Sequence, residues 1–264
     1  MSQTSDSFED VAIEAAHAAG HVLRQRFAAR AGLTIETKSR HDYVTEVDRE
    51  AEAAVVDVLR RRTPGHAILA EEGSLGAAEA AHRWIVDPLD GTTNFIHGVP
   101  TFAVSIGLED ERGLLAGVVH DPCREETFHA TRGRGARLNG SPIACTTLDQ
   151  LDAALVATGF PFREMSNLPA YLAAFESFVR ATSGLRRAGS ASLDLAYTAC
   201  GRYDGFFEVG LFPWDLAGGA LLVTEAGGVV TTVRGGSDVL EQGSIVAAGA
   251  RLHAAMLALT KGTL

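Results

Sequence analysis

An apolar burst that runs directly into paired acids constrains this chain more than any other feature. Trp84-Ile85-Val86 is followed without a linker by Asp87-Pro88-Leu89-Asp90-Gly91-Thr92-Thr93-Asn94-Phe95. The burst is too short for a buried helix and reads as a buried strand. The acids then sit at the strand's end, where two carboxylates three residues apart can converge on one point. Hard divalent cations take such oxygen ligands, and Mg²⁺ is held by a few carboxylates together with substrate phosphate oxygens and water. Pro88 fixes the chain just after Asp87. Gly91-Thr92-Thr93 reads as the start of a helix whose unpaired N–H groups can receive a phosphate. A turn with a helix cap explains an Asp-Gly pair alone, but the full string favours a metal and an anion held side by side.

Similar junctions recur along the chain. Ala67-Ile68-Leu69-Ala70 ends in Glu71-Glu72, which alone reads as a solvated loop, and Trp214-Asp215 opens a helix closed by Gly227-Gly228, which alone makes Asp215 a dipole partner. The pattern predicts helices over about 8–27 and 46–62, a short strand at 34–38, a polar loop at 39–42, strands at 102–108, 114–120 and 126–130, and a turn-rich run from Gly133 to Gly140. By position alone, Asp42 is then a loop acid and Asp48 a helix-start acid. From Leu151 the texture alternates: strand 154–158, helix 167–183, a second helix after the Gly189-Ser190-Ala191 break, strand 205–208, helix 214–226, strand 244–248 and a last helix. This predicts an α/β (α+β) chain of two rigidly packed subdomains. Residues 1–148 form one and carry most of the candidate ligands; residues 149–264 form the other and carry Asp215.

A length of 264 residues with 46% hydrophobic content suffices for one compact unit of this kind. The formal charge of -10 argues against direct nucleic-acid binding, which needs clustered Lys and Arg. Arg60-Arg61-Arg62 reads as the solvated end of a helix, and the Arg132–Gly140 turn as surface rather than an RNA-binding segment. Cys123, Cys145 and Cys200 show no metal spacing or disulfide framework and read as buried residues in a reducing compartment. No leader pattern and no apolar run of the ~18 residues needed for a membrane span is seen, so a cytoplasmic location is expected. His97 reads as a structural histidine.

Taken together, Lys38…Asp42-x-Val44-Thr45-x-x-Asp48, Glu71-Glu72, Asp87 to Phe95 and Trp214-Asp215-x-Ala217-x-Gly219 resemble the inositol monophosphatase family. Arg187 to Tyr197 and Gly205-Phe206-Phe207-Glu208 are most similar to its bacterial, SuhB-like branch. The resemblance spans nearly the whole chain and implies a layered α/β/α/β/α sandwich, commonly dimeric, that hydrolyses phosphomonoesters with two or three Mg²⁺ ions, Mn²⁺ substituting, and is sensitive to Li⁺. It implies metal ligation by Glu71, Asp87, the Leu89 carbonyl, Asp90 and Asp215. Asp48 and Thr92 would act on the attacking water, the Gly91 and Thr92 amides on the phosphate, and Asp90, Glu208 and the Ala191 backbone on substrate hydroxyls. Gly218 and Gly219 depart from a stretch usually richer in Ala. The substrate implied first is myo-inositol-1-phosphate, with histidinol phosphate as runner-up. A regulatory role through the transcription machinery, as in SuhB-like relatives, is the different-class alternative. An aspartyl-phosphate route through Asp87 is disfavoured, because an Asp committed to cations is a poor nucleophile.

Overall fold

The computed structural model describes residues 7–29, 35–39, 42–75, 80–162 and 165–264. Arg40 and His41 of the expected polar loop lie outside the described residues, as does part of the stretch between Glu72 and Trp84. Helix α1 (Phe8–Ala28) begins in a capping box: Ser7 Oγ accepts from Asp10 N at 3.2 Å, and the Asp10 carboxylate accepts from Ser7 N at 3.1 Å. An antiparallel pair, β1 (Ile35–Ser39) and β2 (Asp42–Thr45), leads into α2 (Glu46–Arg62). Asp42, expected as a loop acid, instead opens a strand and pairs with Ser39.

The first sheet contains β3 (Ala67–Ala70), β4 (Ser74–Leu75), β5 (Arg83–Asp90) and, after the short helix α3 (Thr92–His97), β6 (Ala103–Asp110), β7 (Gly113–Asp121), β8 (Glu126–Thr131), β9 (Ala136–Leu138) and β10 (Ser141–Pro142). Its order is β10-β9-β8-β7-β6-β5-β3-β4, antiparallel except where β3 runs parallel to β5. The second sheet is built from β11 (Leu155–Thr158), α4 (Leu168–Ala181), β12 (Gly184–Arg186), α5 (Ala191–Ala199), β13 (Gly205–Val209), α6 (Pro213–Glu225), β14 (Gly228–Thr231), α7 (Val239–Gln242), β15 (Ser244–Gly249) and α8 (His253–Lys261). Its strand order is β12-β11-β13-β15-β14.

Helices α1 and α2 cover one face of the first sheet; α5 and α6 lie between the two sheets; α4 and α8 cover the far face of the second. The result is the five-layered α/β/α/β/α sandwich. Helix α6 is apolar all round because it has sheet on both sides, and Leu216 to Val223 are buried without a break. The two glycines that depart from the expected alanines sit at its tightest contacts. A Cβ on Gly219 would lie 2.5 Å from Leu195 Cβ, and one on Gly218 would lie 2.8 Å from the Val118 carbonyl oxygen. Arg60-Arg61-Arg62 form the largely solvated end of α2 as expected, and Arg61 and Arg62 in addition pair with Glu14 and tie α2 to α1. One further expectation is corrected. Cys123 is exposed, not buried.

Candidate active site

Asp87 and Asp90 lie on β5 itself, not beyond its end, and a bulge brings them together. In a regular strand, residues three apart point to opposite faces. Here β5 takes three steps from Asp87 to Asp90 while β6 takes two, from Ser105 to Ala103, so one extra residue is absorbed. Pro88, with no N–H to give the ladder, falls within that irregularity. Glu71 follows β3 directly; its N–H donates to the Val86 carbonyl at 3.2 Å, which brings the residue alongside Asp87. Asp215 arrives from the first turn of α6, where one of its oxygens accepts from Phe212 N at 2.7 Å and caps the helix.

Oxygens of Asp87, Asp90 and Asp215 lie within 4.8 Å of one another, on carboxylates that are almost fully buried. Burial, followed by the charges of Glu71, Asp90 and Asp215, pushes the Asp87 carboxyl well above the usual carboxylate range. Like charges held so close need a counter-charge, and an all-oxygen donor set fits a hard divalent cation. Among the described residues this is the one acidic or histidine cluster with such convergence.

The cluster lines a cavity of about 510 Å³ that Glu208, Ala191, Gly91 and Thr92 also line. Asp90 Oδ2 accepts from Ser190 Oγ (2.7 Å), Ser192 N (2.8 Å) and Ser192 Oγ (2.5 Å). Burial raises its carboxyl above the ordinary value in spite of these bonds. Asp48 is divided between two tasks. One oxygen accepts from Thr45 N (2.8 Å) and Thr45 Oγ1 (2.6 Å) and caps α2; the other accepts from Thr92 Oγ1 at 3.0 Å. Burial raises its carboxyl against those bonds. The Leu89 carbonyl lies 3.1 Å from the same Thr92 hydroxyl. Gly91 takes φ +98°, and a Cβ there would sit 3.0 Å from the Thr101 carbonyl oxygen, so glycine is required on both counts. Across the cavity the Glu208 carboxylate lies against Gly159, where a Cβ would be 1.8 Å from Glu208 Oε1.

The sequence matches the inositol monophosphatase family over residues 4–262. Nus factor SuhB of Pseudomonas aeruginosa is 50% identical over 94% of this chain and 93% of its own length, and Nus factor SuhB of Escherichia coli is 44% identical over 94% of each. Among solved structures, the extragenic suppressor protein SuhB of Bartonella henselae superposes with a TM-score of 0.93 at 39% identity, covering 97% of this chain and 98% of that one. Inositol monophosphatase from Anabaena does so with 0.86 at 38% identity, covering 97% and 96%. The chain belongs to the inositol monophosphatase family.

Of the residues assigned a site role from sequence in this family member, Glu71, Asp87, Leu89, Asp90, Gly91, Thr92, Ala191, Glu208 and Asp215 line one cavity, and Asp48 touches Thr92. Several residues in or beside the cavity were not given a role in advance: Ser190, which lines it, and Ser192 behind it, which both hold Asp90, and Arg187, whose guanidinium lies 5.5 Å over the rings of both Phe160 and Phe162. All three lie in the Arg187–Tyr197 motif that carried the resemblance, but the Gly-Ser-Ala-Ser string locally reads as an ordinary helix cap and nothing assigned these side chains a role. His97 proves to be exposed on the rim of the cavity and not a buried structural histidine. The arginine-rich turn is bound within the molecule: Arg132 pairs with Asp110, and Glu225 accepts from the N–H groups of Gly133 and Gly135 at 2.8 and 2.9 Å. No helix among the described residues is long and apolar enough to cross a membrane.

Proposed function

We propose that the protein is a Mg²⁺-dependent phosphomonoesterase for a small polyol phosphate, myo-inositol-1-phosphate first, acting by direct attack of water with no phosphoenzyme. The observation that carries this reading is the convergence of Asp87, Asp90 and Asp215 within 4.8 Å beside a cavity of about 510 Å³. In this reading Glu71, Asp87, the Leu89 carbonyl, Asp90 and Asp215 would hold two or three Mg²⁺ ions, with Mn²⁺ as a substitute. Bound there, the ions supply Lewis acidity toward the phosphoryl oxygens.

The chain's own groups do the rest. The Gly91 and Thr92 amides receive the phosphate, while Asp90, Glu208 and the Ala191 backbone face substrate hydroxyls. Thr92 Oγ1 accepts a proton from the attacking water as its own proton passes to Asp48 Oδ1, 3.0 Å away. The water oxygen bonds to phosphorus, the ester bond breaks, and the alcohol leaves with a proton from solvent. Because burial raises the Asp48 carboxyl, it is a stronger base than an exposed aspartate.

Phosphate release from inositol-1-phosphate, glycerol-2-phosphate and histidinol phosphate, with Mg²⁺, with EDTA and with Mg²⁺ plus Li⁺, tests the reading. Mg²⁺-dependent, Li⁺-sensitive release that is highest on inositol-1-phosphate supports it; a preference for histidinol phosphate keeps the mechanism and changes the substrate; no release on any ester refutes it. The curated relatives named Nus factor SuhB favour a second reading, a role in the transcription machinery through protein contacts. Asp90→Asn separates the two, since it removes turnover and leaves a partner-binding role intact. A cytoplasmic homodimer belongs to either reading, and sedimentation of the purified protein checks its stoichiometry.

A further inference from the structure

Asp194 lines the same cavity as Glu208, one turn into α5 from Ala191. It is 1% exposed, yet its carboxyl makes no hydrogen bond among the described residues, and its Oδ1 is buried without a partner. Buried polar atoms are rarely left in that state, because the lost hydration is costly unless something replaces it. The neighbouring groups are already committed. Asp90 Oδ2 is taken by Ser190 and Ser192, and the Tyr171 hydroxyl lies 2.9 Å from Thr158 Oγ1. Arg187 lies over Phe160 and Phe162 and acts on Asp194 as a nearby positive charge without a hydrogen bond to it. What Asp194 lacks is a hydrogen-bond partner that enters with the ligand.

We infer that Asp194 is a second carboxyl of the leaving-group subsite, which with Glu208 receives the hydroxyls of a polyol and so sets a preference for polyol over aryl phosphate esters. The inference rests on the phosphatase reading above. Glu208 comes from β13 and Asp194 from α5, which packs on that strand, so the two carboxyls reach the cavity from adjoining elements. Each hydroxyl of a polyol can donate one hydrogen bond and accept others, and two carboxyls can serve two hydroxyls. Burial, together with the charges of Glu208 and Asp90, pushes the Asp194 carboxyl well above the usual range. That favours its neutral form, which donates as well as accepts. An aryl leaving group offers nothing to either carboxyl.

The test compares kcat/KM for inositol-1-phosphate and phenyl phosphate in the parent, Asp194→Leu and Asp194→Asn proteins. The parent is expected to hydrolyse both esters and to prefer the polyol. Asp194→Leu should lose roughly tenfold of that preference, mainly through KM, as expected when a hydrogen-bonding site loses its partner. Asp194→Asn, which keeps a donor and an acceptor in the same volume and is the safer variant to fold, should lose less. An equal loss on both esters in the two variants marks a merely structural residue and overturns the inference, as does an unchanged preference. A parent protein that hydrolyses neither ester removes the phosphatase reading itself, and the inference with it.

Discussion

Asp90 Oδ2 accepts three hydrogen bonds from Ser190 and Ser192, residues about a hundred positions away in the chain, so the orientation of one candidate metal ligand is set by a different layer of the fold. Groups that orient a ligand typically matter 10–100-fold in metal affinity or activity when removed. Ser192→Ala is therefore expected to raise the Mg²⁺ concentration for half-maximal phosphate release by about tenfold, read by Mg²⁺ titration; an unchanged midpoint would refute the role. Asp87 and Asp90 were legible as candidates because an apolar burst runs directly into their string; Glu71 and Asp215 each had an ordinary local reading and became candidates only through the resemblance. The serines were not legible, because a serine at a helix start already has an ordinary explanation, and nothing local reveals that Ser190 gives its hydroxyl to Asp90 and not to its own helix. By position alone Asp48 was legible only as a helix-start acid, and its partnership with Thr92 came from the resemblance. The positional reading is correct for one of its oxygens and silent about the other, which faces Thr92.

Helix α6 shows how an element's environment reverses a local rule. Alanine is about 1 kcal/mol better than glycine in an exposed helix interior. At Gly219, however, the added Cβ would meet Leu195 Cβ at 2.5 Å, and overpacking costs about 1–3 kcal/mol. Gly219→Ala should therefore lower the melting temperature by a few degrees; a rise in a thermal melt would show that α5 and α6 can separate at little cost. The ends of α6 were readable from Trp214-Asp215 and Gly227-Gly228, but β12 and β14, which lie at the two edges of the second sheet, were not read from the sequence. Helix α1 is tied to the first sheet by a polar contact of the same kind of subtlety. Thr127 Oγ1 lies 2.8 Å from His17 Nε2 and 3.0 Å from His120 Nδ1. Burial lowers both imidazoles, His120 to about 4. The unfolded chain takes up a proton on this histidine as pH falls through about 6.5, while the folded one resists until about 4, so its stabilising contribution is full above that window and lost across it. Urea denaturation at pH 7 and pH 4.5 should show His120→Asn losing about 2–3 kcal/mol less than the parent over that interval. Equal losses would mean the buried imidazole does not govern this part of the acid response.

The site draws on four of the five layers: Asp48 from the outer helices over the first sheet, Glu71, Asp87 and Asp90 from the first sheet, Asp215 from the helices between the sheets, and Glu208 from the second sheet. That placement was beyond periodicity, which yields elements but not the order in which they stack; it came from the resemblance. Assembling buried carboxylates at the junction of layers has an energetic consequence for the entire molecule. Without a cation the charges of Asp87, Asp90, Asp215 and Glu71 oppose the packing that brings them together. A ligand that binds only the folded state stabilises it by RT ln(1 + [L]/Kd), about 2.7 kcal/mol at a hundredfold excess over Kd. Mg²⁺ should therefore raise the melting temperature by several degrees over EDTA. Asp87→Asn removes one of the repelling charges at nearly constant volume. In EDTA this variant should melt above the parent, since the repulsion is reduced, and on adding Mg²⁺ it should gain little, since a ligand is gone. The two effects have opposite signs, so they separate a site strained for cation binding from a merely structural acidic cluster: a variant that melts below the parent in EDTA, or one that keeps the full Mg²⁺ response, would show that these carboxylates stabilise the fold by themselves.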